Sequence, residues 1–232
     1  QARRFSLGET KIGYQTALEL FEESLLLDPA FKLAWVGLAR AHMTNYWVYG
    51  GDPEDREKAR ESIDRARAID NNFGELFMAE GFYWYWGHLD YERALYNLEK
   101  AIDMMPGNYE AHMWHGWASR RDGQWDQALV SMRQALKLNP RVGFNWVEYG
   151  GTLMFLHRYD EARDAIGTAR EMDPDDFWGK TNQATLGLIE SGDTDSAIRL
   201  TAGAQHTDES NFFTLFIVSI NRLILYPGIS DN

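Results

Sequence analysis

Residues 143–174 read GFNWVEYGGTLMFLHRYDEARDAIGTAREMDP, and this stretch decides the fold. It predicts two helices joined by a turn, in which the small residues Gly150, Ala162 and Ala169 let the two helix axes approach closely. Pro174 ends the second helix, because proline disfavours a helical conformation in the residue before it and has no amide hydrogen to donate. The stretch is therefore interpreted as a helix–turn–helix unit.

The same features recur along the chain with a period of 34 residues. Pro140 lies 34 residues after Pro106 and 34 residues before Pro174. Pairs of alanines precede these prolines at fixed offsets: Ala94 and Ala101, Ala128 and Ala135, and Ala162 and Ala169. One such unit cannot bury its apolar face alone, so stacking onto a neighbouring unit supplies the missing core.

The recurring pattern resembles the tetratricopeptide repeat, a family of helix pairs with aromatic and small residues at these offsets. The block from residue 143 carries the pattern throughout, with Trp146, Tyr149, Gly150, Leu153, Ala162, Ile166, Ala169 and Pro174. The block from 109 is weaker in its first helix, and the block from 74 has one residue inserted in its turn. The blocks from 32 and 177 are less regular.

The resemblance implies an all-α fold, a right-handed superhelical solenoid of helix–turn–helix repeats that forms one domain over residues 1–232. We expect a leading half-repeat at 10–30, repeats at about 32–73, 74–108, 109–142, 143–176 and 177–210, and a final apolar helix at 211–225. An insertion around Val48–Asp52 interrupts the first full repeat. Asp52 and Pro53 supply an N-cap and a proline at the first helical position, so the insertion lengthens the first helix and its loop before a properly started second helix.

Composition excludes several classes of function. The formal net charge of −12 argues against a nucleic-acid partner, because such binding needs clustered lysine and arginine. The chain has no cysteine, which excludes disulfide bonds, thiolate metal sites and a cysteine nucleophile. Its most apolar stretch, Phe212 to Tyr226, is broken by Asn221 and Arg222 and is too short to span a bilayer, which takes about 20 residues. We therefore expect no membrane insertion.

In the family that the chain resembles, the first helices of successive repeats line a concave groove. At the positions facing it, this chain carries the residues that we predict to bind a peptide or protein ligand: Arg40, Phe82, Tyr85, Trp86, Met113, Trp114, Trp117, Arg120, Arg121, Phe144, Glu148, Trp178 and Asn182. Aromatic residues, methionine and arginine are enriched at protein-binding hot spots. Two interpretations stay open: this strip holds a partner, or its neighbouring side chains stack on one another and close the groove.

Three arginines on the same helices, Arg40, Arg120 and Arg121, offer an anchor for a carboxylate, since guanidinium pairs with carboxylate through two parallel bonds. The alternative is a solvated group at a helix end. Members of the family that bind chaperone tails use lysine and asparagine where this chain has residues such as Val36 and Trp114. Capture of an acidic chaperone tail is therefore not expected.

Catalytic chemistry is not predicted. His112 and His115 lie three residues apart on one helix, but His115 occupies a core position and no carboxylate completes a metal set. No glycine-rich phosphate loop follows a strand pattern, and spacing supports no Ser–His–acid arrangement. The sequence thus predicts no enzyme, no cofactor and no metal.

One subgroup is nearer than the family at large, over residues from about 10 to 175. The leading helix Tyr14–Phe21, the stretch Leu33–Ala41 and the insertion Tyr46–Pro53 resemble the C-terminal repeats of bacterial multidomain proteins that carry a class III adenylate or guanylate cyclase, a kinase or a winged-helix domain. The resemblance implies the regulatory or docking arm of a cytoplasmic signalling protein, with the periplasm as the alternative compartment. The start at Gln1, without a leader, indicates a piece of a longer protein or a processed chain.

The final helix leaves a second class of function open. Residues 212–225 are apolar on nearly every side, whereas a helix that caps a solenoid toward solvent is amphipathic. Either further chain or a partner covers this helix, or it forms a contact in a homo-oligomer. The alternative to a recognition module is therefore a self-associating scaffold.

Overall fold

The computed structural model describes residues 11–48 and 50–192, and within these two ranges every regular element is a helix. The helices are α1 (Lys11–Leu27), α2 (Lys32–Val48), α3 (Pro53–Ile69), α4 (Gly74–His88), α5 (Tyr91–Met104), α6 (Tyr109–Arg121), α7 (Trp125–Leu138), α8 (Gly143–Phe155), α9 (Tyr159–Met172) and α10 (Phe177–Ser191). The predicted all-α class is confirmed. The second half of the repeat at 177–210 and the apolar helix at 211–225 lie outside the described residues.

Helices pair in the order that the repeats predict. Helix α2 packs on α3, α4 on α5 and α8 on α9, while the first helices α2, α4 and α6 contact one another in series. The chain divides into two compact units, residues 1–131 and 132–232, with the boundary inside α7. The predicted single domain over 1–232 stays a prediction.

Small residues lie where the paired helices touch. A Cβ added to Gly81 in α4 would stand 2.6 Å from Cγ of Leu98 in α5, and one on Gly150 in α8 would stand 2.8 Å from Cγ1 of Ile166 in α9. The alanines of the period are equally enclosed, and Ala94, Ala101, Ala128 and Ala162 have no exposed surface. Close approach of the helix axes therefore requires these residues to be small.

The insertion has the predicted structure. Helix α2 runs for 17 residues, and Asp52 caps α3 by accepting a hydrogen bond of 2.9 Å from the amide of Glu54. Behind the cap, Asp55 is buried, with its carboxylate 2.8 Å from Nδ1 of His42 and 2.7 Å from Nδ2 of Asn45, which donates to it. This polar cluster fixes the lengthened α2 against the start of α3.

Among the helices of residues 11–48 and 50–192, none combines the length and the apolar character that a membrane crossing requires.

Candidate functional site

A pocket of about 520 Å³ opens in the first unit, between α1, α2 and α4. We call it the first-unit pocket, and it is lined by Leu20, Phe21, Glu23, Ser24, Leu27, Phe31, Leu33, Ala34, Val36, Gly37, Arg40, Glu75, Met78, Ala79 and Trp114. The lining is mostly apolar. At its edge, Leu27, Phe31 and Leu33 are exposed to solvent, Leu27 to 85%.

Helical spacing explains why these side chains meet. Leu33, Val36, Gly37 and Arg40 stand at positions i, i+3, i+4 and i+7 of α2, which places them along one face of the helix. Position 37 requires glycine because α1 packs closely against it, and an added Cβ would stand 2.3 Å from the ring of Phe21 in α1. The ring of Phe21 therefore packs directly against α2 at Gly37, and both residues line the pocket.

A continuous series of four aromatic rings begins at Trp114 in the pocket lining. We call it the ring ladder, and its members are Trp114, Phe82, Trp86 and Trp47. The rings of Trp114 and Phe82 stack at 3.8 Å between centroids, with planes 13° apart. Phe82 contacts Trp86 at 3.9 Å, and Trp86 lies nearly parallel to Trp47 at 6.2 Å. Trp114 and Phe82 are 6% and 3% exposed, whereas Trp86 and Trp47 are half-buried.

Arg40 completes the ladder at the pocket end. Its guanidinium lies 4.6 Å from the ring centroid of Trp114 and donates two hydrogen bonds to the carboxylate of Glu110, at 3.1 and 3.2 Å. The two side chains are 11% and 10% exposed. Arg40 therefore already holds a carboxylate of its own chain, and the predicted role of anchoring a ligand carboxylate requires displacement of Glu110.

The remaining predicted residues of the first unit lie away from the pocket lining. Met113 is buried, Tyr85 and Trp117 are half-buried, and Arg120 and Arg121 stand in the last turn of α6. Tyr85 lies 6.0 Å from the ring of Tyr91 on the next helix. Binding of a ligand by these side chains stays a prediction.

In the second unit, some of the predicted residues make contacts within the fold and others lie on the surface. Asn182 donates a hydrogen bond of 3.1 Å to the carbonyl of Val147 and so ties α10 to α8. Trp178 makes an edge contact with Phe177, Glu148 is half-buried, and Phe144 is exposed. Their role as ligand contacts also stays a prediction.

Sequence reasoning therefore found only part of the pocket lining. Arg40 and Trp114 were among the predicted groove residues, whereas the whole contribution of α1 was missed. A signal for it exists in the run Leu25-Leu26-Leu27, since three consecutive leucines at a helix end cannot all face one core.

A second cluster of polar side chains surrounds His115 and contains the residue types of a Ser–His–acid catalytic triad. Nδ1 of His115 lies 2.9 Å from the hydroxyl of Ser131, and Nε2 lies 3.8 Å from a carboxylate oxygen of Glu99. Both His115 and Ser131 are buried, so a substrate has no access to the hydroxyl. Burial lowers the pKa of His115, with Glu99 opposing the shift, which favours a neutral ring that packs in the core. Among the described residues, no three histidine or acidic side chains form a group that could hold a metal ion.

Part of the chain is similar to a known protein family and to a human protein. A family model described as "Anaphase-promoting complex, cyclosome, subunit 3" matches residues 87–169. The human protein O-mannosyl-transferase TMTC1 is 25% identical over 181 residues, which are 76% of this chain and 20% of TMTC1. The chain thus spans about a fifth of the length of that relative.

Solved structures agree in fold. The protein TTC0263 of Thermus thermophilus, a thermophilic TPR protein, superposes with a TM-score of 0.64 at 23% identity, over 76% of this chain and 91% of that one. The Cut9–Hcn1 hetero-tetramer of the APC/C superposes with a TM-score of 0.71 at 16% identity, over 89% of this chain and 39% of that one. At these identities the likeness establishes the fold.

Proposed function

We propose that this chain is a tetratricopeptide-repeat module that binds protein, and that it holds an apolar segment of a partner polypeptide in the first-unit pocket. The observation that carries the proposal is the pocket itself. Its volume of about 520 Å³ lies within the range of about 300–1,000 Å³ typical of ligand sites.

The exposed edge of the pocket supports the same function. Leu27, Phe31 and Leu33 present apolar surface to water, and burial of such surface by a partner contributes about 25 cal/mol per Å². Contiguous exposed apolar patches beside a cavity mark interaction sites in soluble proteins. A segment that inserts one or two apolar side chains would cover this edge and fill the pocket together.

We propose that the bound segment continues along the half-buried end of the ring ladder. Trp86 and Tyr85 keep part of their surface exposed, and Trp117 does so on the neighbouring helix. Phe82 and Trp114 then act as the rigid wall behind the segment, because their faces are already occupied by each other. Trp117→Ala combined with Tyr85→Ala is expected to weaken capture while the fold is kept.

A matched pair of leucines tests the pocket. Leu26 and Leu27 are neighbours in α1 and are each 85% exposed, but only Leu27 lines the pocket. Peptides are first selected on the protein from a random phage-displayed library, and their affinities are then measured by fluorescence anisotropy. Leu27→Ser combined with Leu33→Ser is expected to weaken binding about tenfold, whereas Leu26→Ser leaves it unchanged. Equal affinities for all variants would contradict binding in the pocket.

The cellular context is proposed from the closer family resemblance. We propose that the chain is the regulatory or docking arm of a larger bacterial signalling protein in the cytoplasm. The gene sequence that encodes Gln1 and the residues around it provides the test, since a cyclase, kinase or DNA-binding domain is expected on the same polypeptide.

The alternative function is a self-associating scaffold that uses residues 211–225, which lie outside the described residues. Sedimentation velocity at several protein concentrations separates the two functions. A recognition arm stays monomeric, and a scaffold shows association that is lost when 211–232 is deleted.

A further inference from the structure

We propose that the segment held in the first-unit pocket carries a lysine or arginine next to its apolar side chains. This inference rests on the proposed function and specifies the charge of the partner. The charged groups that line the pocket are two glutamates and one arginine.

The two glutamates are available to a ligand. Glu23 is exposed on α1, and Glu75 is half-buried in the first turn of α4. Neither makes an ion pair or a side-chain hydrogen bond with another described residue. Both residues line the pocket, so the acceptor capacity of their carboxylates remains for solvent or for a bound partner.

The arginine does not offset them. The guanidinium of Arg40 is bound to Glu110 through two hydrogen bonds and lies over the ring of Trp114. The positive charge of Arg40 is neutralised by the negative charge of Glu110 in this ion pair. The net charge that remains in the lining is therefore that of Glu23 and Glu75. A ligand carboxylate would have to displace Glu110 and approach two further anions, whereas a ligand cation meets no such opposition.

The apolar lining and the net charge of the chain complete the description of the partner. Leucine-like side chains fill the pocket beside Leu27, Phe31 and Leu33, and a neighbouring cation reaches Glu75 or Glu23. The formal charge of −12 also accelerates the encounter with a basic segment, since long-range attraction acts mainly on association rates. The partner that fits is therefore a short basic and apolar polypeptide segment.

The experiment measures which charge the pocket prefers. Peptides that depend on Leu27 and Leu33 for binding are selected from a random library, and their content of basic and acidic residues is compared with that of the unselected library. Three synthetic probes follow, in which leucine alternates with lysine, leucine with glutamate, and serine with lysine. The selected peptides are expected to be enriched in lysine and arginine, and the leucine–lysine probe is expected to bind most tightly.

Variants with the same change of charge provide the control. Glu23→Gln and Glu75→Gln are each expected to weaken the leucine–lysine probe about twofold to fivefold, while Glu22→Gln and Glu92→Gln, outside the pocket, leave its affinity unchanged. Salt is expected to weaken the probe more for the unaltered protein than for the Glu23→Gln/Glu75→Gln double variant.

The outcomes separate the two proposals. Selected peptides enriched in acidic residues, equal affinity for the leucine–glutamate probe, or equal effects of pocket and control variants would overturn the charge inference while the pocket remains a binding site. A selection that yields no peptide dependent on Leu27 and Leu33 would overturn the proposed function as well.

Discussion

Replacing Arg40 by methionine is expected to lower the free energy of unfolding of the first unit by about 3 kcal/mol. Methionine keeps much of the length of the arginine side chain but removes the guanidinium. The carboxylate of Glu110, only 10% exposed, then loses the charge and the two hydrogen bonds of Arg40, and breaking such a buried pair by removing one partner costs about 3–5 kcal/mol. We take the lower end because both side chains keep about a tenth of their surface in water, and the lost cation–π contact with Trp114 is included in the figure.

The ion pair joins two helices that are far apart in the sequence, and this separation gives a second, specific expectation for unfolding. In stacked repeats each repeat contacts mainly its neighbours, so stability is close to a sum of local terms. Arg40 belongs to the first full repeat and Glu110 to the third, 70 residues later, so the pair links repeats that are not neighbours in the sequence. Loss of the pair is therefore expected to reduce the cooperativity of unfolding, seen as a smaller dependence of the unfolding free energy on urea.

The assay is a double-mutant cycle with Arg40→Met, Glu110→Gln and the double variant, each unfolded in urea and followed by far-ultraviolet circular dichroism. A coupling energy of about 2 kcal/mol is expected. Each single change removes the interaction between Arg40 and Glu110, and the double variant loses that same interaction only once. The exposed pair Arg158 and Glu161 serves as the control, with an expected coupling below about 0.5 kcal/mol. Effects of the two single changes that add to within about 0.5 kcal/mol would refute the reasoning.

Two further predictions concern stability. Burial lowers the pKa of His115 in the folded state, so its contribution to stability is present above the unfolded pKa of about 6.5 and is lost as the pH falls below it, by at most about 1.4 kcal/mol per pH unit. His115→Gln is expected to flatten this dependence in urea unfolding between neutral and acidic pH, and an unchanged slope, or an equal flattening by the control His157→Asn, would contradict it. Gly81→Ala is expected to destabilise the fold by about 1–3 kcal/mol, because the new methyl group would press on Leu98, whereas Gly167→Ala in α9 meets nothing within 4 Å and is expected to stabilise by about 0.5–1 kcal/mol. The midpoint temperature of thermal unfolding is measured for both variants. If it shifts in the same direction in both, the proposed difference in packing at Gly81 and Gly167 is contradicted.

The fold was predictable because it depends on residues that act locally or at one fixed distance. The cap at Asp52 and the small residues Gly81 and Gly150 each specify a contact within one repeat, and the structure confirms these contacts. A buried acid at a core position was not explained by the pattern. Glu80 stands where the repeat has leucine, and the structure shows it held by Arg60 through two hydrogen bonds of 3.2 Å.

The candidate site was less predictable because it depends on contacts between repeats. Periodicity indicates that Phe82 and Trp114 share the face of the first helices, but it does not give the distance between their rings. At 3.8 Å they stack on each other, which is the closed alternative of the sequence prediction, and Arg40 pairs with Glu110 rather than with solvent. The role of α1 was missed for a related reason, since a single leading helix has no repeat of its own to assign its faces.

One position of the first helix accounts for both the stack and the pocket. Gly37, Ala79 and Trp114 occupy equivalent places, the sixth residue of α2, α4 and α6. Gly37 and Ala79 line the pocket together with α1 and the exposed leucines, whereas Trp114 borders the same pocket with a ring that stacks on Phe82. The same repeat geometry therefore produces both the stacked rings and the pocket. Among the sixth residues of α2, α4 and α6, the two small ones, Gly37 and Ala79, belong to the two helices that border the pocket on one side.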